Sequence, residues 1–330
     1  MSSLKVCFSS LINIYTHQRV VDITSAMTDS SQLPTAANWI RQSSSILIAS
    51  GAGLSASAVN PQYGVGLDYA SVAVFRQLYP RMTQVTTMRC MYDAIGKDDW
   101  SPELMWGYLF THVDQSRFNW GATAVYQDLK EILSNKSVDS FVVTTNADGM
   151  FEQNKFDMTR FLSTQGDFSL LQCLKPCSHQ SVYEARPFIE RALPHIDPQT
   201  MEIPSKYVPQ CPRCGGPMFL CVRGGDWFIE SAFDNQRHRY HDFIHRALNN
   251  KDQLFTIIEI GVGFNTPSVL RWPMDQLVSE YKNARLIRIN MHAPDVPVHA
   301  RKEKRAIGFD GNAATVIRQL KDIVTAGNMS

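Results

Sequence analysis

Short apolar runs, each followed by a polar or glycine-rich segment, recur along this chain. Four of them are rich in aliphatic and β-branched residues, as buried strands of a parallel sheet are. They cover residues 45–49, 138–145, 254–260 and 285–289. This pattern predicts four strands whose carboxyl ends lead directly into candidate functional segments.

Amphipathic helical patterns separate these runs. Apolar residues repeat at helical spacing in 124–133, 269–277 and 316–323. Strands that alternate with helices of this length predict an α/β fold with a doubly wound, Rossmann-like parallel sheet. In such open sheets the ligand crevice lies beyond the carboxyl ends of the strands, so we look for function there.

Composition narrows the class of partners. The chain has 330 residues, with 32 Lys and Arg against 31 Asp and Glu, and 44% of its residues are hydrophobic. Balanced charge predicts no nucleic-acid partner, and the short basic run at 301–305 contains a glutamate. No apolar run approaches the roughly 20 residues of a membrane helix, so we expect no membrane partner.

The N-terminal residues leave two interpretations open. Residues 1–21 contain no acidic residue, four serines and two fixed positive charges, Lys5 and Arg19. Such a start is compatible with a mitochondrial transit peptide, although two basic residues are few, and with a disordered tail. We therefore expect residues 1–32 to be an extension, and the compartment to be cytoplasmic or mitochondrial.

Two close cysteine pairs predict a metal site. The spacing Cys-x3-Cys is followed, after a long insertion, by a Cys-Pro-x-Cys-Gly-Gly sequence of the zinc-knuckle type. Four thiolates can close a tetrahedral Zn²⁺ site and leave no open position for catalysis, so we expect structural zinc. The predicted ligands are Cys173, Cys177, Cys211 and Cys214.

The insertion between the cysteine pairs spans residues 178–210 and contains five prolines, which predicts a partner-facing loop. His179, His195 and Cys221 are alternative metal ligands, but we expect them to be ordinary surface or packed residues.

Small or polar residues follow each predicted strand. The segments are 51–57 (GAGLSAS), 145–149 (TNADG), 261–267 (GVGFNTP) and Asn290. A glycine turn between strand and helix lets backbone N–H groups approach a pyrophosphate. Each segment alone is also explained by ordinary turn chemistry. Their recurrence at four strand ends favours one shared ligand site.

The order of these motifs resembles the sirtuin (Sir2) family across residues 35–325: GAGLS, TNADG, Gln-Gly, two cysteine pairs, GVGFNTPSVLRWP and Ile-Asn. Sirtuins bind NAD on a Rossmann-like domain beside a small zinc-binding module. The resemblance implies that segment 308–313 closes over the adenine. By resemblance, the NAD-binding residues are Gly51, Ala52, Gly53, Ser55, Asn146, Asp148, Gly261, Gly263, Asn265, Thr266, Asn290 and Asn312.

Departures from the deacylase pattern are concentrated at the expected reaction centre. Deacylases carry His-Gly where this chain has Gln165-Gly166, and a glutamine amide accepts no proton near neutrality. Thr145 stands where the deacylases have Gln. The segment 221–230, which we expect to continue a strand after the zinc site, has no clear counterpart of the acyl-lysine platform.

These departures resemble the class M, or macrodomain-linked, sirtuins, and that resemblance implies protein mono-ADP-ribosyltransfer with NAD as substrate. Gln165 would then orient the ribose or acceptor, Asn146 would hold the ribose or a water, and Arg223 would steer a carboxylate or diphosphate. The alternatives are an NAD-dependent protein-lysine deacylase and a catalytically inactive module that binds NAD or ADP-ribose.

The same resemblance implies the domain organisation. Residues 33–167 and 233–330 would form the NAD-binding domain, with a helical insertion near 60–118, and residues 168–232 would form the zinc-binding module. The implied partner is an acceptor protein, with a lipoyl-carrier (GcvH-like) protein or a macrodomain protein as the candidates.

Overall fold

The computed structural model describes residues 30–326 apart from 96, 98, 135 and 136. Residues 1–21, for which a transit peptide and a disordered tail are the two open interpretations, lie outside the described residues. The strands are β1 (Ser43–Ser50), β2 (Asp139–Thr144), β3 (Phe161–Ser163), β4 (Gly166–Cys173), β5 (Val182–Glu184), β6 (Met218–Val222), β7 (Leu254–Ile260), β8 (Ala284–Ile289) and β9 (Ala306–Phe309). The helices are α1 (Leu33–Gln42), α2 (Ala52–Ala56), α3 (Val72–Leu78), α4 (Met82–Val85), α5 (Pro102–Val113), α6 (Ala124–Ile132), α7 (Met150–Gln153), α8 (Arg186–Ala192), α9 (Asp234–Asn249), α10 (Arg271–Glu280), α11 (Val298–Lys302) and α12 (Ala313–Ala326).

A six-stranded parallel sheet has the order β3-β2-β1-β7-β8-β9. The chain builds β1, β2 and β3 towards one edge, then returns beside β1 and builds β7, β8 and β9 towards the other. The reversal creates a crevice at the carboxyl ends of β1 and β7, where such sheets bind ligands. The predicted α/β fold class is confirmed, and the four predicted strands correspond to β1, β2, β7 and β8.

Both faces of this sheet are covered. Side chains alternate along an extended strand, so Ile46 and Ile48 of β1 enter one core while Leu47 and Ala49 enter the other. The first core includes side chains of α1, α6 and α12, and the second includes side chains of α9, α10 and α11. Burial on both faces explains why the central strands read as continuous apolar runs.

The edge strands β3 and β9 were not predicted. They have three and four residues, too few for a periodic signal. β9 also contains Gly308, where a Cβ atom would lie 2.0 Å from the carbonyl oxygen of Pro294. Segment 308–313, which was expected to close over the adenine, is only partly a loop. Gly308 and Phe309 end β9, and Ala313 begins α12.

A second, antiparallel sheet of order β5-β4-β6 carries the cysteine region. Two expectations about its surroundings were wrong. Residues 178–210 include β5 and α8 rather than a single loop, because Ile189 and Ala192 bury an apolar helix face. Strand β6 ends at Val222, and the expected continuation through 230 consists of turns.

Helices α3, α4 and α5 lie within the range of the predicted helical insertion. The hydroxyl of Ser101 accepts from the Leu104 N–H at 3.1 Å and caps α5, and Pro102 occupies its first turn. The helix continues as a π-turn over Asp114–Phe118, which carries Arg117. Among the described residues, no helix combines the length and the apolar character needed to cross a bilayer.

An ion network with a buried centre, Glu259 and Arg288, lies near the carboxyl ends of β7 and β8. Arg288 pairs with both carboxylate oxygens of Glu259 at 2.6 and 2.7 Å, and also with Asp275 at 2.8 Å. Arg271 lies 3.7 Å from Glu259 and donates to the carbonyl oxygens of Ala293 and Asp295. The network holds together the loops that follow these two strands.

Breaking this network on one side should destabilise the protein strongly. Arg288→Met leaves Glu259 buried without its bidentate partner, and we expect a loss of about 3–5 kcal/mol in the free energy of unfolding. Urea denaturation measures it. The double variant Glu259→Leu, Arg288→Met removes both charges and should recover most of the loss; a double variant less stable than the single one contradicts this interpretation.

Candidate active site

Two glycine turns form the floor of the crevice. The Gly51 N–H donates to the Ile260 carbonyl oxygen, and the Gly53 N–H to the Gly261 carbonyl oxygen, both at 3.0 Å. Gly261 has φ +62°, and a Cβ there would lie 2.5 Å from the Gly53 Cα. L-residues rarely adopt the φ of Gly261, and the backbone leaves no room for a Cβ atom at Gly261 or Gly53. Both positions therefore require glycine. The exposed Ala52 lies between Gly51 and Gly53.

The polar residues after β2 converge on this floor, as predicted. The Asn146 side-chain amide donates to the Gly51 carbonyl oxygen at 3.0 Å and to the Ser55 hydroxyl at 2.9 Å. The Ser55 hydroxyl donates to a carboxylate oxygen of Asp148 at 2.5 Å. Three predicted NAD-binding residues thus form one hydrogen-bonded cluster across the ends of β1 and β2.

Asp148 is a buried carboxyl with few compensating partners. Burial raises its pKa above the ordinary value of 3.8, while the Ser55 hydroxyl, the Met150 N–H and the charge of Arg117 oppose the rise. A carboxyl in this setting readily accepts a further hydrogen bond from a ligand. A carboxamide N–H group supplies such a donor.

Arg117 is a site residue that sequence reasoning missed. Its guanidinium passes beside Gly149 and forms ion pairs with Glu152 and, at 2.7 Å, with Asp167. Although burial acts to lower the pKa of Arg117, the two carboxylates raise it above its ordinary value. Arg117 therefore joins the π-turn after α5 to the segment that contains Gln165.

Gln165 lies in the bend between β3 and β4, where the large sheet passes into the small one. Gly166 follows with φ +97°, and a Cβ there would lie 2.1 Å from the Cys221 carbonyl oxygen. The Arg223 N–H donates to the Gln165 carbonyl oxygen at 2.9 Å. The Gln165 side chain is partly exposed and has no hydrogen bond to any described residue, so its amide is free for a ligand.

Arg223 is near Gln165 along the backbone, but its side chain is already paired. The guanidinium forms an ion pair with Glu230 and lies 4.8 Å from the centroid of the Phe228 ring. Glu230 also pairs with Arg237 at 2.9 Å. The Arg223 side chain is 41% exposed, so an anionic ligand can reach it only in competition with Glu230.

Other predicted NAD-binding residues follow β7 and β8. Gly263, Asn265 and Thr266 are exposed. Asn290 is buried, and its amide is used internally: it donates to the Val262 carbonyl oxygen at 2.9 Å and accepts from two N–H groups of the next loop. Asn290 thus positions the loop.

The remaining predicted NAD-binding residue, Asn312, lies at the start of α12. Its side-chain oxygen accepts from the Ala314 N–H at 2.9 Å, so the residue caps this helix. This hydrogen bond thus gives Asn312 a structural role at the helix end.

The four predicted zinc ligands come together. Their sulfur atoms all lie within 4.8 Å of one another, with 3.7 Å between Cys173 and Cys214 and 3.8 Å between Cys177 and Cys211. Thiolates placed tetrahedrally about 2.3 Å from Zn²⁺ lie about 3.8 Å apart, so the donor set fits zinc. Cys221, one alternative ligand, is buried in β6 outside the cluster, and burial raises its thiol pKa to about 12.

A polar network inside the helical region also escaped prediction. His112 is buried, and its two ring nitrogens hydrogen-bond the hydroxyls of Tyr69 at 2.7 Å and Tyr79 at 2.8 Å. Burial lowers the His112 pKa to about 4, so this imidazole is neutral at physiological pH. Burial raises the pKa of Tyr69 well above its ordinary value, and the charge of Asp148 adds to the rise.

Comparison with solved structures identifies the architecture. A Sir2 homologue in complex with ADP-ribose superposes with a TM-score of 0.53, covering 89% of this chain and 97% of that one at 17% identity. A complex of a Sir2 homolog with NAD gives a TM-score of 0.50, covering 89% and 94% at 18% identity. The chain has the sirtuin fold. No family model matches it.

Two sequence relatives are more specific. A Fusarium oxysporum f. sp. cubense protein named "Probable bifunctional ADP-ribose hydrolase/ADP-ribosyltransferase" is 37% identical over 268 residues, which are 80% of this chain and 43% of that protein. A Staphylococcus aureus protein named "Protein ADP-ribosyltransferase" is 27% identical over 280 residues, 84% and 83% of the two chains. The sirtuin-fold chain thus spans less than half of the fungal relative and most of the bacterial one.

Asp148→Asn should raise stability while weakening the site. The folded-state pKa of Asp148 lies above its unfolded value, so the cost of the buried charge is absent in acid and grows as pH rises. We expect the variant to have a higher melting temperature at neutral pH, with the gain shrinking towards acidic pH. The exposed Asp322→Asn on α12 is the control; equal gains in both variants, or a gain that grows in acid, contradict this.

Proposed function

We propose that this protein is an NAD-dependent protein mono-ADP-ribosyltransferase of sirtuin type. It would cleave nicotinamide from NAD and transfer ADP-ribose to a side chain of an acceptor protein. The fold, the polar cluster at the carboxyl ends of β1 and β2, and two relatives with ADP-ribosyltransferase names support this.

The observation that carries the proposal is the free amide of Gln165 at the junction of the two sheets. Gln165 lies at the turn between β3 and β4, directly after the carboxyl end of β3. An amide can orient a hydroxyl but cannot remove its proton near neutrality. This favours a reaction that needs geometry and electrostatics rather than a base of the enzyme.

Cleavage of NAD has this character. The bond between the nicotinamide nitrogen and ribose C1′ breaks, and nicotinamide leaves as a neutral molecule because it takes the bonding electron pair to its positive ring nitrogen. An acceptor lone pair then forms the new bond to C1′, and the proton that a hydroxyl or amine acceptor carries passes to water. In this proposal Asp148 and Ser55 hold the nicotinamide half, Asn146 holds the ribose, and Gln165 orients the ribose or the acceptor.

Arg223 has a conditional role in this scheme. Its guanidinium is partly exposed beside the Gln165 backbone, so it can attract an anionic group of the acceptor or the diphosphate of NAD once Glu230 releases it. As acceptor we propose a lipoyl-carrier (GcvH-like) protein, with a macrodomain protein as a further partner. The support for both is the resemblance to the macrodomain-linked branch.

We also propose that the four-cysteine cluster holds structural Zn²⁺. Cys173 ends β4 while Cys211 and Cys214 lie in the turn before β6, so the metal would fasten the two strands that frame Gln165. All four ligands are thiolates, which suits a closed structural site.

Gln165→Ala tests the proposed function most simply. We expect loss of protein labelling, because the reaction centre loses its orienting amide, with NAD affinity largely retained since the glycine turns are untouched. Mass spectrometry of candidate acceptors incubated with NAD detects the added ADP-ribose, and calorimetry measures NAD affinity. Undiminished transfer by the variant would remove Gln165 from the mechanism.

The products of the wild-type protein separate the alternatives. Release of O-acyl-ADP-ribose from acyl-lysine peptides would identify a deacylase instead. Tight NAD binding with no released nicotinamide and no labelled protein would identify an inactive binding module.

Removal of one thiolate should release the metal. Cys211→Ser is expected to lower zinc content well below one ion per chain and to destabilise the small sheet, because binding and folding of such sites are coupled. Metal analysis and melting temperature measure the two effects. Cys221→Ser, which changes a buried thiol outside the cluster, is the control; a metal-free yet equally stable Cys211 variant would refute structural zinc.

A further inference from the structure

The turn that carries Gln165 is held on two sides by the main chain. The Arg223 N–H, just after β6, donates to the Gln165 carbonyl oxygen at 2.9 Å. On the other side, the Phe168 N–H donates to the carbonyl oxygen of Ala147, in the segment after β2, at 3.0 Å. A third contact, made by a side chain, completes the support of this turn.

This third contact is the ion pair between Arg117 and Asp167, which comes two residues after Gln165. Nε of Arg117 lies 2.7 Å from one carboxylate oxygen of Asp167, and Nη2 lies 3.2 Å from the other. The Arg117 side chain is 7% exposed and that of Asp167 is 18% exposed, so salt screens the pair weakly. A bidentate pair fixes direction as well as distance, because the two planar groups must align.

Arg117 is itself firmly placed. It lies in the π-turn Asp114–Phe118, and distortions of this kind occur frequently at functional sites. The Gln153 side-chain amide donates to the Ser116 carbonyl oxygen at 3.0 Å, which ties the π-turn to α7. The Arg117 guanidinium also pairs with Glu152 of α7. These contacts to α7 hold the π-turn and its guanidinium in place beside β4.

We propose that Arg117 is a positioning residue for Gln165. By clamping Asp167 it fixes the turn, so that the Gln165 amide is presented to the ribose or acceptor in one orientation. A group that acts by orienting its partner contributes only when it is correctly placed, so the clamp bears directly on rate. The inference rests on the proposed function in taking Gln165 as the orienting residue, and it requires no contact between Arg117 and NAD.

Asp167→Asn and Glu152→Gln form a matched pair, because each removes one carboxylate charge from the same guanidinium. Only Asp167→Asn loosens the turn that carries Gln165. We expect its kcat for nicotinamide release from NAD to fall about tenfold to a hundredfold, the effect of a misplacement of up to about 1 Å. Its KM for NAD should stay unchanged, and Glu152→Gln should keep both constants. Steady-state kinetics on the full chain, well below the melting temperature of each variant, measure them.

Arg117→Lys tests the clamp from its other end. Lysine keeps the positive charge but lacks the planar fork, so we expect a loss of kcat similar to that of Asp167→Asn. In the Gln165→Ala background neither change should lower the residual rate further, because both act through a side chain that is already absent.

A wild-type kcat in Asp167→Asn overturns the proposal, and so does an equal loss in Glu152→Gln. A loss in Asp167→Asn that Arg117→Lys does not share would give Asp167 a role of its own and also overturns it. So does an undiminished further loss in the Gln165→Ala background, which is the result of a merely structural role. A wild-type protein that releases nicotinamide but labels no acceptor refutes the transferase proposal and leaves this comparison valid; one that releases no nicotinamide refutes both.

Discussion

The backbone contact between two glycine turns is the constraint on which the rest of the site depends. Gly53 and Gly261 approach so closely that neither tolerates a Cβ atom, and this contact closes the ends of β1 and β7 into one floor. The Asn146 amide donates to the Gly51 carbonyl oxygen on that floor. The same amide donates to the Ser55 hydroxyl, which in turn donates to Asp148. Placement of the polar cluster is therefore a consequence of backbone packing.

Besides this floor, the site contains the buried carboxyl of Asp148 and the side-chain amide of Gln165, which does not titrate. Arg117 neutralises the carboxylates around Asp148 and links the helical region to the segment containing Gln165. The neutral His112 is committed to two tyrosines, and so it cannot serve as the missing base. Such an arrangement suits a reaction whose leaving group departs neutral.

Much of the fold could be predicted from the sequence, because buried parallel strands leave long apolar runs and zinc-type cysteine spacing is specific. Strands β3 and β9 were too short to show a recognisable pattern of alternating apolar and polar residues. Arg117 could not be found either, since it reaches the site through an ion pair with Asp167, a residue distant along the chain. The prediction of a strand through residue 230 was wrong. Strand β6 ends at Val222, and an ion pair between Arg223 and Glu230 joins the two ends of the turns that follow it.

The proposal that this protein cleaves NAD without a general base of its own is tested most directly by the pH dependence of nicotinamide release at saturating NAD. With Gln165 in place, we predict a rate without the transition that a catalytic histidine would give near pH 6.5. His112 does not interfere, because burial lowers its pKa to about 4. Burial raises the pKa of Asp148, so any transition that Asp148 causes should disappear in Asp148→Asn. A sigmoidal or bell-shaped profile with a midpoint near pH 6.5 in both the wild-type protein and Asp148→Asn would contradict the account.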